Sequence, residues 1–217
     1  MSNDKHKILG VRDLTNSTYV LEIERRNLKF EAGQHILLGK AGSIHHREYS
    51  IYSGVNDDLL EVLIKEVEEG MVSKNLKKLK IGDEVEIQGP LGFFTIEDDF
   101  LKNANRFLFL ASGTGISPFH SMIKSLPTMN YRVIHGIRYA EEAYEMSHYA
   151  PKRYVACTSR DEKGDFHGRL TDYLKQNTIE PHTHCYLCGN FEMIRDAMNL
   201  LEEKGIPQDH LHAEVYF

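Results

Sequence analysis

Apolar and polar residues alternate in short segments over roughly the first 95 residues, and turn residues separate the segments. Alternation with a period of two is typical of strands with one face in a core, and short strands at this spacing favour an antiparallel barrel. The predicted strands include residues 18–23, 34–38, 49–53, 60–64 and 84–88. The pattern therefore predicts an N-terminal antiparallel β-barrel domain, which we place at residues 1–98.

One segment of this half has helical spacing instead. Between Met71 and Lys80 the apolar residues Val72, Leu76 and Leu79 recur every three or four positions, with lysines around them. This period is that of an amphipathic helix. We expect a helix over residues 71–80, with Ser73 in its first turn.

After about residue 100, apolar runs alternate with helical patterns. Residues 106–111 form a mostly apolar run, followed by a glycine turn and a helical pattern, as in a strand buried in a parallel sheet. The same alternation predicts strands at 131–137, 154–157 and 184–189, and helices at 140–150, 168–177 and 191–204. It predicts a C-terminal α/β domain with a doubly wound parallel sheet, residues 99–217.

Composition narrows the class of protein. The chain has 217 residues, 41% of them hydrophobic, with 32 acidic against 26 basic residues, which suits two compact domains and argues against a general nucleic-acid binder. No apolar run approaches the ~20 residues of a membrane span, and the N-terminus lacks the pattern of a secretory signal. The three cysteines do not suggest a disulfide framework. We expect a cytoplasmic protein with reduced thiols and no membrane partner.

The segment Arg47-Glu48-Tyr49-Ser50 carries three different binding groups on one predicted strand. Tyr49 offers an aromatic face for a flavin ring, Arg47 a forked cation for a diphosphate, and Ser50 a hydroxyl. An ordinary polar strand could contain the same four residues. The tetrapeptide alone therefore leaves open whether this strand binds a flavin or is simply polar.

The loop from Gly113 to Pro118 has the features of a phosphate-binding turn. Its glycines permit close backbone approach, and Pro118 preorganises the first turn of a helix. Pro118 stands where the usual dinucleotide fingerprint has its third glycine, and no acidic residue marks the ribose position, so this is not a standard Rossmann site. Arg138, Arg160 and Arg169 would instead favour NADP over NAD, unless some are solvated surface residues.

Histidines and cysteines lie close together between His182 and Cys188, at spacings that resemble a zinc site. Strand alternation sends Cys185 to the face opposite His184 and Cys188, and no second pair completes a tetrahedron. We therefore predict no metal site, and three cysteines are too few for an iron–sulfur centre.

Taken in order, these motifs resemble those of bacterial ferredoxin-NADP reductases over nearly the whole chain. The residues that carry the resemblance are Phe30 to Gln34, Arg47 to Ser53, Gly70 to Ser73, Gly89 to Phe94, Gly113 to Pro118, Thr158 to Arg160, Gly168 to Leu170, Cys188 to Met193 and Ala213 to Phe217. The resemblance implies an FAD barrel followed by an NADP-binding domain in a flavoenzyme. We expect the protein to be a monomer.

The resemblance also implies roles for individual residues. FAD would be held by Arg47, Tyr49 and Ser50, with its diphosphate at Gly70, Met71, Val72 and Ser73. NADP would be held by Thr114, Arg138, Ser159, Arg160 and Arg169. Ser50, Cys188 and Glu214 would surround the point of hydride transfer, and Tyr216 would occupy the nicotinamide place until displaced. Phe217 stands where the bacterial branch has a further aromatic residue, which implies adenine stacking.

The electron acceptor implied by the resemblance is a ferredoxin or flavodoxin. An acidic carrier could dock on the basic residues Lys74, Lys77, Lys78 and Lys80 with Arg25, Arg26 and Lys29, although a solvated helix face explains these charges equally well. Two other functions remain open. One is a free-flavin reductase or the reductase component of an oxygenase system; the other is a non-catalytic redox-sensing subunit.

Overall fold

The chain folds into two compact units in a computed structural model that describes residues 4–103 and 106–216. One unit comprises the chain up to Thr95 together with Ser117–Ser125, and the other comprises Ile96–Ile116 and the chain from Leu126 onward.

The first unit is built on an antiparallel six-stranded sheet. Its strands are β1 (Asp4–Asp13), β2 (Thr18–Glu24), β3 (His35–Lys40), β4 (Arg47–Ser50), β5 (Leu59–Lys65) and β6 (Glu84–Leu91). The order is β4-β3-β6-β1-β2-β5, and an antiparallel bridge from Ile51 to Val62 joins the two ends of the sheet. Alternate residues such as Ile36, Leu38 and Val85 fill the core. The predicted fold class of this half is confirmed.

The helix of this unit, α1, is shorter than its sequence pattern predicts. It spans Met71–Lys77 and not residues 71–80. The backbone N–H of Lys78 bonds to the carbonyl of Leu76, and the N–H of Lys80 donates to the Asp83 carboxylate at 2.8 Å, so the chain turns early. The apolar residues of the pattern are nevertheless buried, including Leu79 beyond the end of the helix.

A second helix, α2 (Asp98–Asn103), precedes the first strand of the second unit, and a third, α3 (Ser117–Ser125), completes the first unit. The His120 ring stacks on the Tyr52 ring at 3.7 Å, and its Nδ1 lies 2.7 Å from the Tyr52 carbonyl oxygen. The hydroxyl of Ser121 donates to the carbonyl of Ser53 at 2.7 Å. These contacts explain why α3 packs with the barrel although it follows a strand of the other unit.

The second unit has a fully parallel six-stranded sheet. Its remaining elements are the strands β7 (Arg106–Ser112), β8 (Tyr131–Ile137), β9 (Tyr154–Thr158), β10 (Phe166–His167), β11 (Thr183–Gly189) and β12 (Leu211–Val215), and the helices α4 (Leu170–Gln176) and α5 (Phe191–Glu203). The order is β10-β9-β8-β7-β11-β12. Strand order reverses at β7, and ligands of doubly wound sheets bind at the carboxyl ends of the strands at such a point. The predicted α/β class is confirmed.

The helix predicted at 140–150 is wrong. Two short 3₁₀ turns, Ala140–Glu142 and Met146–His148, occupy the segment. Glu145 between them has a φ of 46°, in the left-handed region, which interrupts any continuous helix. The longest helix among the described residues, α5, has 13 residues, and none of the helices there is long and apolar enough to cross a membrane.

Candidate dinucleotide site and flavin-binding strand

The segment predicted to bind flavin lies on β4, an edge strand of the first sheet. Arg47 is exposed, Tyr49 is half-buried against the barrel core, and Ser50 is only 4% exposed. Burial raises the pKa of Tyr49 to about 12, so its hydroxyl stays protonated. The Arg47 guanidinium donates to the carbonyl of its neighbour His46, which leaves donors of its fork for an anion. The strand therefore offers a phenol ring and a cation at one edge, as an isoalloxazine and a phosphate require.

The start of α1 is arranged by its glycine. The capping residue Gly70 is extended and provides no side-chain cap, and an added Cβ there would lie 2.9 Å from the Ser73 hydroxyl oxygen. Ser73 itself is buried, and its hydroxyl accepts the N–H of Val67 at 3.2 Å. Met71 is exposed and Val72 is buried. Ser73 therefore stabilises the first turn of α1 from within. A diphosphate bound at this turn would contact the backbone N–H groups of the helix.

The glycine turn of the second unit, a 3₁₀ helix over Gly113–Ile116, follows β7 at the switch point. A Cβ added at Gly115 would overlap the carbonyl group of Cys188, so only glycine lets this turn approach the end of β11 so closely. A Cβ added at Gly113 would meet no atom of residues 4–103 or 106–216 within 4 Å, so the backbone there faces open space among these residues. Half-buried Thr114 lies between the two glycines. The turn fits the close approach of a phosphate group.

His135, on β8, supports this turn and was not singled out from the sequence. Its Nε2 lies 2.7 Å from the carbonyl oxygen of Gly113, and its Nδ1 lies 2.6 Å from the hydroxyl of Tyr154. Burial lowers the pKa of His135 to about 4, so the neutral ring donates from Nε2 and accepts from Tyr154 at Nδ1. The side chain is fully buried and therefore positions Gly113 without touching a ligand. In the sequence, the only sign of this supporting role was the position of His135 in the middle of an apolar strand.

Of the predicted phosphate-binding residues, Arg138 follows β8, Ser159 and Arg160 follow β9, and Arg169 follows β10. The N–H of Arg160 donates to the carbonyl of Arg138 at 2.9 Å, and the N–H of Ser159 donates to the carbonyl of Ile137 at 3.0 Å. The side chains of Arg138, Ser159, Arg160 and Arg169 are exposed. Within residues 4–103 and 106–216, none of the three guanidinium groups forms an ion pair, so each is available to an anion.

Two carboxylates hold the loops that carry these arginines. Buried Glu142 accepts the N–H of Arg138 at 2.7 Å. Asp161 accepts the N–H of Ala140 at 2.9 Å, a bond that lowers the pKa of this carboxyl. Both carboxylates therefore act on backbone N–H groups and leave the guanidinium groups free.

Cys188, Glu214 and Tyr216 come together at the ends of β11 and β12. Cys188 and Glu214 are register partners, and the N–H of Tyr216 donates to the carbonyl of Gly189 at 2.9 Å. The Tyr216 side chain also hydrogen-bonds the Cys188 thiol, but burial, followed by the charge of Glu214, raises the pKa of that thiol well above its usual value. Cys188 therefore stays a neutral thiol. Phe217 lies outside the described residues.

Fewer side chains of the predicted basic docking surface are free for a partner than the sequence suggests. The ammonium of Lys77 donates to the carbonyl of Asn16 at 2.8 Å and lies near two carboxylates, and Lys74 donates to the carbonyl of Glu68. Arg25 bonds to the carbonyls of Leu28 and Asp57, and Arg26 pairs with Glu24. Lys29, Lys78 and Lys80 are exposed, and their side chains make no such contact with any residue that the structure describes.

Two family models match the chain in the order of its two units. An oxidoreductase FAD-binding domain matches residues 5–96, and an oxidoreductase NAD-binding domain matches residues 109–199.

Similar proteins include two kinds of electron-transfer flavoprotein. The electron transfer component of toluate 1,2-dioxygenase from Pseudomonas putida is 30% identical over 96% of the chain, which spans 66% of that protein. The flavodoxin/ferredoxin-NADP reductase of Escherichia coli K12 is 28% identical over 88% of the chain and 86% of its own length. A solved structure of a ferredoxin NADP+ reductase from Neisseria gonorrhoeae, with bound FAD and NADP, has the same fold, with a TM-score of 0.90, 24% identity and full coverage of both chains.

Proposed function

The chain belongs to the family of oxidoreductases that join an FAD-binding to an NAD-binding domain and include the flavodoxin/ferredoxin-NADP reductases, and we propose that it couples NADPH oxidation to reduction of a ferredoxin or flavodoxin. It is a flavoenzyme. The bound cofactors supply the redox chemistry, namely hydride transfer between nicotinamide and flavin and release of single electrons. The polypeptide binds these cofactors, orients them and excludes water from the reacting groups.

Preference for NADPH rests on one observation, the arginines at the carboxyl end of the second sheet. Arg138 and Arg160 lie in adjacent loops joined by a backbone hydrogen bond, and their guanidinium groups are exposed. A 2′-phosphate carries charge that NADH lacks, and Arg binds phosphate through two parallel N–H bonds. Ser159, whose hydroxyl donates to the Ile137 carbonyl at 3.3 Å, adds an exposed polar group beside Arg160, and Arg169 adds a third cation.

The residues of the proposed hydride-transfer site shape the nicotinamide pocket without taking a proton. Cys188 is a neutral thiol packed beside Glu214, and Tyr216 is bonded to both the thiol and the carbonyl of Gly189. In this proposal Tyr216 yields its place to nicotinamide. Ser50, on β4, would donate a hydrogen bond from its hydroxyl to the edge of the flavin ring.

The carrier would dock on the exposed part of the basic set in the first unit, Lys29, Lys78 and Lys80. Opposite charge raises association rates with an acidic carrier even where each pair contributes little affinity. We further propose that the protein acts as a cytoplasmic monomer.

A second candidate function is the reductase component of an oxygenase system. It is favoured by the similarity to the toluate dioxygenase component and to a propane 2-monooxygenase reductase component from Mycolicibacterium smegmatis, which is 28% identical. The chain spans 66% and 61% of those two proteins, so their full activities do not transfer directly.

Carrier specificity tests the proposal. With NADPH as donor, we expect reduction of a bacterial flavodoxin or ferredoxin to have a kcat/KM well above that for free FMN. Replacing Lys78 and Lys80 by Gln should raise KM for the carrier about 3- to 10-fold at low salt and leave dye reduction unchanged. The control, Lys5 and Lys102 to Gln, makes the same change in charge elsewhere. Faster reduction of free FMN than of either carrier would favour a flavin reductase instead.

A further inference from the structure

A cavity of about 410 Å³ lies at the amino ends of the parallel strands in the second unit. Its walls come from the first residues of β7 and β8, from the segment before β9 and from the segment that leads into β11. The nucleotide turn lies at the other end of these strands, and β8 alone, with 7 residues, is about 20 Å long. This cavity, which we call the amino-end cavity, is therefore separate from the proposed dinucleotide site.

Basic residues dominate the charge of the amino-end cavity. Among the described residues that line it, Arg106, Arg132, Lys152 and Arg153 are basic and Glu180 alone is acidic. The chain as a whole has a net charge of -6, so this excess of cations is local. Like charges gathered in one cavity repel each other, and a bound anion would remove that repulsion.

Arg153 is held in place by contacts that leave part of its guanidinium group for a ligand. Its Nη1 donates to the carbonyl of Met129 at 2.8 Å, and the guanidinium carbon lies 5.2 Å from the centre of the Tyr131 ring. The backbone carbonyl of Arg153 also accepts the N–H of Val133 at 2.7 Å. A guanidinium group has five N–H donors, so this one is positioned before an anion arrives and retains donors for it.

Lys152 supplies a cation without a competing partner. Its side chain is exposed, and within residues 4–103 and 106–216 its ammonium group forms no hydrogen bond or ion pair. Its φ of 65° lies in the left-handed region, which a lysine adopts only where the surrounding structure holds the backbone. The N–H of Arg153 donates to the carbonyl of Ala150 at 3.0 Å across this turn. The Lys152 ammonium group is therefore available to an anion beside Arg153.

The other two cations of the cavity differ in what they contact. Arg106 lies 3.3 Å from Glu180, and because both side chains are more than half exposed, this ion pair is weak and yields to a ligand. Arg132 donates to the hydroxyl of Tyr173 at 2.5 Å, and its guanidinium carbon lies 5.7 Å from the centre of the same ring. Both contacts of Arg132 are to one side chain of α4, so Arg132 fastens α4 to β8 and adds only its charge to the cavity.

Apolar side chains complete the lining of the amino-end cavity. They belong to Phe107, Leu108, Tyr131 and Ile179, of which the first three are buried. A cleft that combines one sign of charge with a low-dielectric wall concentrates ions of the opposite sign. The volume is within the range of about 300–1,000 Å³ that is typical of small-molecule sites. A small ligand therefore suits the cavity better than an extended polymer does.

We propose that the amino-end cavity binds a small polyanion, namely a molecule with a pyrophosphate group or two phosphate groups. Arg106, Lys152 and Arg153 together match two or three negative charges, which a single carboxylate does not supply. Arginine contacts phosphate oxygens through two parallel N–H bonds, and lysine adds a point charge. The proposal does not rest on the proposed reductase activity, because none of these residues belongs to the proposed cofactor sites.

Calorimetric titration with inorganic pyrophosphate tests the site. The FAD-loaded protein is first saturated with NADP⁺, so that the proposed nucleotide site is filled. We expect one pyrophosphate per chain, bound about tenfold or more tightly than inorganic phosphate at equal ionic strength, with an affinity that falls as salt is raised. Lys152→Gln should weaken binding about 3- to 10-fold and Arg153→Gln about 10-fold or more. Arg153→Lys keeps the charge without the fork and should recover only part of that loss.

The matched control is Arg195→Gln, an exposed arginine of α5 that pairs with Asp196 and does not line the cavity. It removes the same charge and should bind pyrophosphate as the parent does. Because the Lys152 ammonium group has no partner among the described residues, Lys152→Gln remains informative even if Arg153→Gln is unstable. The absence of saturable pyrophosphate binding by the parent protein would overturn the proposal. So would one-to-one binding that Lys152→Gln and Arg153→Gln both retain at full affinity, because the anion would then lie elsewhere.

Discussion

The backbone N–H of Arg160 donates a 2.9 Å hydrogen bond to the carbonyl oxygen of Arg138. This bond joins the loop after β9 to the loop after β8. The carboxylates of Glu142 and Asp161 also hold these loops, because they accept the N–H groups of Arg138 and Ala140. In the proposed NADPH site, the backbone segments that carry the two guanidinium groups are thus already held together before a nucleotide binds. Preorganisation of this kind lowers the cost of binding.

Arg160→Ala should lower kcat/KM for NADPH about 10- to 100-fold and leave that for NADH within about twofold. The loss corresponds to about 1.5–3 kcal/mol, the usual contribution of a hydrogen bond to a charged group. The control is Arg132→Ala, an exposed arginine near the amino end of β8, which should change neither value. Equal losses with both nucleotides would count against a 2′-phosphate site.

Gly115→Ala should impair binding of the nucleotide through the backbone. Its Cβ would overlap the Cys188 carbonyl, so the turn must move from β11; we expect a stability loss of about 1–3 kcal/mol and at least a tenfold lower kcat/KM for NADPH. Gly205→Ala serves as control, because its φ of 83° strains alanine but no atom lies within 4 Å. It should lose stability in urea unfolding and keep its kinetics. Normal kinetics in Gly115→Ala would contradict the close approach.

His135 should make stability depend on pH in the acid range. Its pKa is about 4 in the folded protein against about 6.5 when unfolded, so between these values the unfolded chain binds more protons and stability falls as pH falls. The contribution is about 2 kcal/mol between pH 6.5 and 5. His135→Gln keeps a donor for the Gly113 carbonyl and should show a flatter dependence in urea unfolding. An identical slope in both proteins would mean that His135 is not buried as a neutral ring.

Tyr216→Ser should relax the preference for NADPH, because removal of the ring lets either nicotinamide reach the flavin. The comparison variant is Tyr216→Phe, which keeps the ring and loses only the hydroxyl bonded to the Cys188 thiol. We expect the ratio of the two kcat/KM values to fall at least tenfold in the Ser variant and to change little in the Phe variant. An unchanged ratio in Tyr216→Ser would remove this role.

Much of this architecture was predictable because apolar periodicity reports burial. The run at β7 and the alternation at β3 and β5 predicted both sheets. The helix predicted at 140–150 does not form, although the segment contains helix-forming residues. Glu145 has a left-handed backbone, and the Glu142 carboxylate accepts backbone N–H groups. Local pattern does not contain such interactions.

Two contacts of the second unit that the sequence did not predict depend on pairing between distant segments. His135 supports Gly113, which lies 22 positions earlier, and His184 meets His212, 28 positions later, only because parallel strands align them. No spacing rule along the chain predicts either contact. The phosphate-binding role of the arginines stays a prediction: Arg138 and Arg160 follow strands whose ends could be read from their apolar runs, whereas Arg169 follows the two-residue strand β10, which the sequence did not predict.

The central claim, an NADPH-dependent flavoenzyme, is tested most directly by anaerobic stopped-flow absorbance. The as-isolated protein is mixed with NADPH or, separately, with NADH, and bleaching of the flavin band is followed. We predict a yellow protein that bleaches at least tenfold faster with NADPH at equal concentration. A colourless protein, or a yellow one that neither nucleotide reduces, would contradict the account.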